Sequence, residues 1–212
     1  MKKRPSRQFR ITTIFVDIGG VLLTNGWDHH ARRRAAKQFK LEWTEMEERH
    51  ALNFETHEEG RMTFKEYLDR VVFYQKRRFT RAQFRSFMCA QSKPCAEMIS
   101  LMRNLKAKYG LKIIVVSNES RELNAYRIRQ FKLDGFVDAF VSSCFVRLRK
   151  PDADIFKLAL DLAQRPTRQI VYIENTPLFV QIAEGFGIRS ILHTDYKSTC
   201  AKLAAFGLEA AR

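Results

Sequence analysis

Phe15-Val16-Asp17-Ile18-Gly19-Gly20-Val21-Leu22 sets one carboxylate at the end of an apolar run and follows it at once with a pair of glycines. The run from Ile11 to Val16 is continuous rather than alternating, the pattern of a parallel strand buried on both faces. Asp17 then falls at the carboxyl end of a strand, the edge where ligands bind in open α/β sheets. A carboxylate at that edge can attack phosphorus and form an acyl phosphate, and glycines let backbone N–H groups approach phosphate oxygens. Taken alone, the stretch is equally a structural turn.

Four more apolar runs follow, at Lys112–Val116, Val137–Val141, Ile170–Ile173 and Ile188–Leu192, with helix-like sequence between them. The expected fold is α/β, a Rossmann-like parallel sheet with helices on both faces. Between Cys95 and Tyr109 the side chains of Met98, Leu101, Met102 and Leu105 share one helical face, and Gly110 supplies the stop. Thr176-Pro177 reads as a hydroxyl cap with proline at the first helical position, opening a helix that carries Val180 and Ala183.

The segment 25–91 has helical periodicity and no run suited to a parallel sheet, so it reads as an all-helical insert after the first strand, between core segments 1–24 and 92–212. About four helices are expected in it, the first near Asp28–Phe39 and the last near Arg81–Ala90. Thr44 with Glu47 and Thr63 with Glu66 match the capping box, and Gly60 separates two helices. The first eight or so residues read as a loose tail.

Three further strand ends carry polar groups. Ser117-Asn118 follows the second apolar run, where a hydroxyl could donate to a phosphoryl oxygen or simply cap a helix. Arg149-Lys150-Pro151-Asp152 holds a lysine ahead of a helix with proline at its first position, suited to meet developing negative charge, although a solvent-exposed lysine is the common case. Glu174-Asn175 ends the fourth run with two oxygen donors of the kind Mg²⁺ accepts, or with a turn before a capped helix.

In this order, and with a helical insert after the first, Asp17, Ser117, Lys150 and Glu174-Asn175 resemble the haloacid dehalogenase superfamily, in particular its phosphatase-like members with a small helical cap of the C1 type. The resemblance runs from about Thr12 to Leu192. It implies Asp17 as nucleophile, Ser117 and Lys150 as the groups that bind and stabilise the phosphoryl, and Gly19, Gly20 and Asn118 as substrate-binding positions. It also implies Mg²⁺ held by Asp17, the Gly19 carbonyl, Glu174 and Asn175, with a cap that chooses a small phosphorylated substrate.

Two departures stand out. The superfamily's phosphatases usually carry a second Asp two places after the nucleophile as general acid and base, and here that place is Gly19. Losing a positioned acid costs about 10²- to 10⁴-fold, least for good leaving groups such as sugar 1-phosphates or aryl phosphates. Asn175 stands where a second metal-binding acid is common, and brings no charge. The implied activity is a Mg²⁺-dependent phosphatase working through an aspartyl phosphate. The alternatives are a metal-independent dehalogenase-type hydrolase, which also lacks the second Asp, and a catalytically impaired binding module.

The 212 residues carry 38 Lys and Arg against 23 Asp and Glu, a formal charge of +15. The basic clusters at Lys2–Arg4, Arg32–Arg34, Lys76–Arg78 and Arg147–Lys150 are scattered, whereas a nucleic-acid footprint gathers on one helix or arm, so the charge is read as solvated faces that steer small anions. No run suits a spanning helix or signal peptide, and the four cysteines lack metal-ligand spacing, which points to reduced thiols and a cytoplasmic setting. His29 or His30 could replace the missing acid, though an ordinary surface pair is the plainer reading.

Overall fold

A computed structural model describes residues 10–209. The expected N-terminal tail lies outside the described residues. Five strands, β1 (Thr13–Val16), β2 (Lys112–Ser117), β3 (Ala139–Ser142), β4 (Ile170–Glu174) and β5 (Arg189–Leu192), form one all-parallel sheet in the order β3-β2-β1-β4-β5. Each apolar run became a strand; β1, β3 and β5 start one or two residues late, and β2 and β4 start where expected. Central β1 and β4 are buried along their whole length, as their continuous apolar sequence requires, and the edge strands β3 and β5 are half covered.

Alternate strand residues face opposite layers. Ile14, Val16, Ile113 and Val115 pack with Met98, Leu101, Met102 and Leu105 on one side, while Phe15, Ile114, Val116 and Tyr172 pack with Ile155, Phe156 and Ala159 on the other. Helices therefore cover both faces.

Between β1 and β2 lies the helical insert, with five helices rather than four: α1 (His29–Phe39), α2 (Trp43–Ala51), α3 (Phe54–Glu58), α4 (Phe64–Val71) and α5 (Arg81–Ala90). The extra element, α3, spans five residues, too short for periodicity to reveal. Thr63 and Glu66 form the expected capping box. Thr44 and Glu47 do not. Glu42 caps α2 by accepting from the backbone N–H groups of Thr44 and Glu45, which leaves Glu47 free to pair with Arg32.

The remaining helices are α6 (Ala96–Tyr109), α7 (Arg121–Gln130), α8 (Ser143–Val146), α9 (Ala153–Ala163), α10 (Pro177–Gly185) and α11 (Tyr196–Ala205). Helix α6 stops at Gly110 as expected. Two starts differ from expectation. Helix α9 begins at Ala153 under an Asp152 cap, so Pro151 lies outside it, and Thr176 makes no side-chain cap for α10 although Pro177 does open that helix. Among the described residues no helix is long and apolar enough to cross a membrane. All four cysteines are unpaired.

The insert has its own core, centred on Phe84, which is fully buried and meets the rings of Trp27, Phe39, Phe73, Phe79 and Phe87. Its two crossings to the sheet lie side by side, with the Thr24 N–H donating to the Lys93 carbonyl (2.9 Å) and the Thr24 hydroxyl to the Gln91 carbonyl (2.8 Å). Truncating a buried aromatic of this kind costs about 3–5 kcal/mol, so Phe84→Ala is expected to lower stability by that amount in urea titration.

Candidate active site

The sheet order decides what meets Asp17. Because β1 lies between β2 and β4, the carboxyl ends of all three open on one pocket, bringing Asp17 next to Ser117, 100 residues on, and Glu174, 157 residues on. Lys150, from the loop before α9, reaches in from the side.

Lys150 Nζ sits 2.6 Å from Glu174 Oε2 and 3.1 Å from Asp17 Oδ1, with Tyr172 Oη at 3.2 Å. Its side chain is 1% exposed, so no solvent screens these charges. Burial acts to lower the Lys150 pKa, but the two adjacent carboxylates outweigh it and hold the ammonium above its ordinary value. Two carboxylates then share one cation. The imbalance falls on Asp17, whose pKa is pushed up to about 7 by burial, with Glu174 adding to the rise and Lys150 opposing it.

Glu174 is saturated. Oε2 accepts from Lys150 and the Tyr172 hydroxyl, while Oε1 accepts from the N–H groups of Asn175 and Thr176, both at 2.9 Å. That corrects its assignment as a metal ligand, because no lone pair is left facing the pocket. Asn118 exchanges two 2.8 Å hydrogen bonds with the Lys150 backbone, so it positions the lysine, and it also lines the cavity.

Gly20 is also corrected as a substrate-binding position, since its N–H donates to the Leu23 carbonyl. What demands glycine there is shape: φ is +75°, and a Cβ would lie 2.2 Å from the Asn175 side chain. Asp17 Oδ1 and Ser117 Oγ differ from these groups. Both are buried and neither takes part in a hydrogen bond.

A Mg²⁺ ion would meet three of the four assigned groups. Asp17 offers an orphaned anionic oxygen in a pocket with surplus negative charge, and Gly19 offers its carbonyl. The Asn175 amide, oriented to match its neighbours, donates to Glu174 Oε1 (2.9 Å) and to the Gly19 carbonyl (3.1 Å). The donor set fits Mg²⁺ as a site with one carboxylate, completed by water and substrate phosphate oxygens.

Above the strand ends the insert closes a cavity of 510 Å³, lined by Asp17, Gly19, Asn118, Lys150 and Asn175 from below. From the insert come Trp27, Arg32, Glu47, His50, His57 and Glu58. His29 and His30 do not line it. The cavity's histidines, His50 and His57, carry no mark in the sequence that separates them from other helical polar residues.

Trp27 Nε1 can only donate, so the Tyr67 hydroxyl accepts from it (2.8 Å) and gives its own proton to His50 Nδ1 (2.8 Å). His50 therefore carries its proton on Nε2. Its pKa is lowered to about 3 by burial, with Arg32 adding to the effect, so it is a neutral donor and no acid at neutral pH. Glu58 is raised above the usual carboxylate range by burial against the opposing Arg149, and Arg149 binds both Glu58 and Glu55 at 3.0 Å.

A parallel sheet whose strand ends gather a buried carboxylate, lysine and serine beneath a helical insert is a Rossmann-like α/β fold with a candidate catalytic centre at its topological switch point. The chain belongs to the haloacid dehalogenase-like hydrolases, whose family profile matches residues 11–187. It is 29% identical over 82 residues to a protein that carries the name pyrophosphatase PpaX in Caldanaerobacter subterraneus subsp. tengcongensis, a match covering 39% of this chain and 37% of that protein. In fold it is similar to the HAD family enzyme BT-2542 of Bacteroides thetaiotaomicron, solved with magnesium and inorganic phosphate (TM-score 0.72, 19% identity, 85% of this chain and 93% of that one). A HAD-like family hydrolase of Porphyromonas gingivalis is similar too, at TM-score 0.73 and 20% identity over 92% of this chain and 98% of that one.

The charge imbalance has a measurable sign. A carboxyl whose folded pKa is about 7 against 3.8 ordinarily destabilises the fold once pH exceeds the ordinary value, and fully so above 7. Asp17→Asn is expected to melt higher than the parent at pH 8, with a gain on the order of 2 kcal/mol that shrinks toward pH 4 in thermal melts.

Proposed function

We propose that the protein is a phosphatase acting on a small phosphorylated substrate through an aspartyl phosphate at Asp17, beneath a cap formed by residues 25–91. The observation that carries the reading is the orphaned, buried Asp17 Oδ1 held 3.1 Å from Lys150 Nζ in the floor of the cavity. A carboxylate shielded from solvent is a stronger nucleophile than one in water, and Lys150 can follow charge from the carboxylate to the phosphoryl oxygens. Ser117 Oγ, also unpartnered, donates to one of those oxygens.

Mg²⁺ would be held by Asp17, the Gly19 carbonyl and the Asn175 side chain, and when bound it would neutralise phosphate charge. Glu174, Tyr172 and Asn118 position Lys150. No carboxyl stands at Gly19, so the leaving group takes its proton from water, which favours leaving groups that need little help. The presence of magnesium and phosphate in BT-2542 supports this over the dehalogenase reading, as does the fact that, among the described residues, no unpaired cation lines the cavity to receive a halo acid's carboxylate.

Hydrolysis of p-nitrophenyl phosphate with Mg²⁺ tests the proposal. Asp17→Asn is expected to lose at least about 10³-fold in kcat/KM, and the parent protein to gain the mass of one phosphoryl group on acid quenching. Retained activity in Asp17→Asn removes the mechanism.

Asn175→Asp restores a charged oxygen beside the Gly19 carbonyl. The Mg²⁺ concentration giving half-maximal activity is expected to fall about tenfold, with a matching gain in the thermal shift caused by Mg²⁺ alone. An unchanged Mg²⁺ requirement would remove the assignment of Asn175 to the metal side.

A further inference from the structure

The phosphatase reading leaves the leaving group undefined, and the cavity walls restrict it. Among the described residues that line the cavity there are three cations, Arg32, Arg127 and Lys150, and each is already matched. Lys150 lies between Asp17 and Glu174. Arg127 is 1% exposed, paired with Glu119, and its other nitrogens donate to Ser92 Oγ and the Thr24 carbonyl, both at 3.0 Å. Arg32 is the one cation contributed by the insert. Its Nε and one terminal nitrogen take both oxygens of Glu47, the latter at 2.9 Å, and its other terminal nitrogen donates to the Trp27 carbonyl at 2.9 Å.

That geometry uses the bidentate edge of Arg32, the edge that would otherwise receive a phosphate or carboxylate. Two more carboxyl groups, Asp28 and Glu58, line the same cavity. Neutral groups complete much of the lining, among them the rings of Trp27 and Phe54, His57, and His50 with its Nε2–H donor.

We infer that the cavity selects phosphomonoesters whose leaving group carries no second negative charge, and that Glu47 determines this specificity by occupying Arg32. A bisphosphate or pyrophosphate would place its second anionic group beside Glu47 and Asp28, while Glu58 is already paired with Arg149 at 3.0 Å. Prying Arg32 away would strand Glu47 as a half-buried unpaired carboxylate. Like charges set against each other in this way exclude a ligand more effectively than a missing contact does. The favoured class is an uncharged hydroxylated alcohol, or an alcohol bearing an amine, esterified once with phosphate. On this reading the activity in the name of PpaX does not extend to the present chain.

The inference rests on the phosphatase proposal, and one panel separates them. With saturating Mg²⁺, kcat/KM is measured for glucose 1-phosphate, phosphoethanolamine, pyrophosphate and fructose 1,6-bisphosphate. The first two are expected to exceed the last two by about 100-fold, and either order within the first pair supports the inference while telling whether Asp28 recognises an ammonium. Glu47→Gln keeps the shape and releases Arg32. It is expected to narrow the gap about tenfold, mainly by lowering KM for the two doubly anionic substrates, and Glu47→Ala to act in the same direction.

A wild-type preference for pyrophosphate or the bisphosphate overturns the inference, as does an unmoved ratio in both Glu47 variants when their melts show them folded. Should no substrate turn over, it is the phosphatase proposal that fails. Calorimetric titration of the wild-type protein then still decides the cavity's preference: pyrophosphate binding no tighter than inorganic phosphate upholds the inference, and tighter binding overturns it.

Discussion

One buried ammonium shared by two carboxylates organises the molecule. Lys150 could not sit 1% exposed without Asp17 and Glu174, and neither carboxylate could be buried at a strand end without the lysine. The strand order β3-β2-β1-β4-β5 exists in service of that meeting, because only adjacent β1 and β4 bring their terminal carboxylates to one cation. Supporting groups then remove freedom from every participant except the nucleophile. Tyr172 and two backbone N–H groups fix Glu174, and Asn118 fixes the Lys150 backbone. Asp17 and Ser117 each keep an oxygen without a hydrogen-bond partner, free to meet the incoming phosphoryl group.

The insert is tied to this centre through the residue next to the lysine. Arg149 reaches across to Glu55 and Glu58 of α3, and the Ser143 hydroxyl donates to the Glu58 carbonyl at 2.7 Å. Gly60, at φ +66°, lets the turn after α3 press against the Cys144 carbonyl, where any Cβ would collide at 2.3 Å. At the opposite end of the insert, Arg127 grips both crossings by bonding Ser92 and the Thr24 carbonyl at once. The cavity is thus bounded by two charged fastenings, and the position of the insert is coupled directly to the loop that carries Lys150.

The sheet was legible because buried parallel strands have no alternative sequence: Ile113-Ile114-Val115-Val116 suits little else. The polar residues at the strand ends were legible for the same reason, since a carboxylate or hydroxyl that interrupts such a run is conspicuous. Their division of labour was not. Glu174 and Asn118 look like ligand groups in sequence, and only the spatial neighbours Tyr172 and Lys150 show that they serve the lysine. Tyr172 did carry a signal, because a hydroxyl inside the run Ile170-Val171-Tyr172-Ile173 must find a partner on its own face two residues on, which is Glu174. His50, His57 and Glu47 carried none, since helical periodicity tells which face is apolar and nothing about which polar residues face a cavity.

The two departures from the superfamily pattern act in one direction. Gly20 is imposed by backbone shape, but Gly19 is not, for a Cβ there would stand at an ordinary 3.6 Å from Asn25. The fold has room for an acid at that position, so its loss is a chemical choice rather than a steric one. Asn175 in place of an acid removes a second negative charge from the same few ångströms, and its amide bridges Glu174 and the Gly19 carbonyl without adding one. With both acids present, four carboxylates would crowd one lysine and a tightly held divalent cation would be obligatory. With both absent, two carboxylates against one ammonium leave a surplus of one charge, small enough for a proton on Asp17 to cancel near pH 7 and for phosphate to enter without first overcoming a wall of anions. The site exchanges proton delivery to the leaving group for a pocket that stays near neutrality, which matches a cavity whose own walls keep every cation paired and turn away a second negative charge.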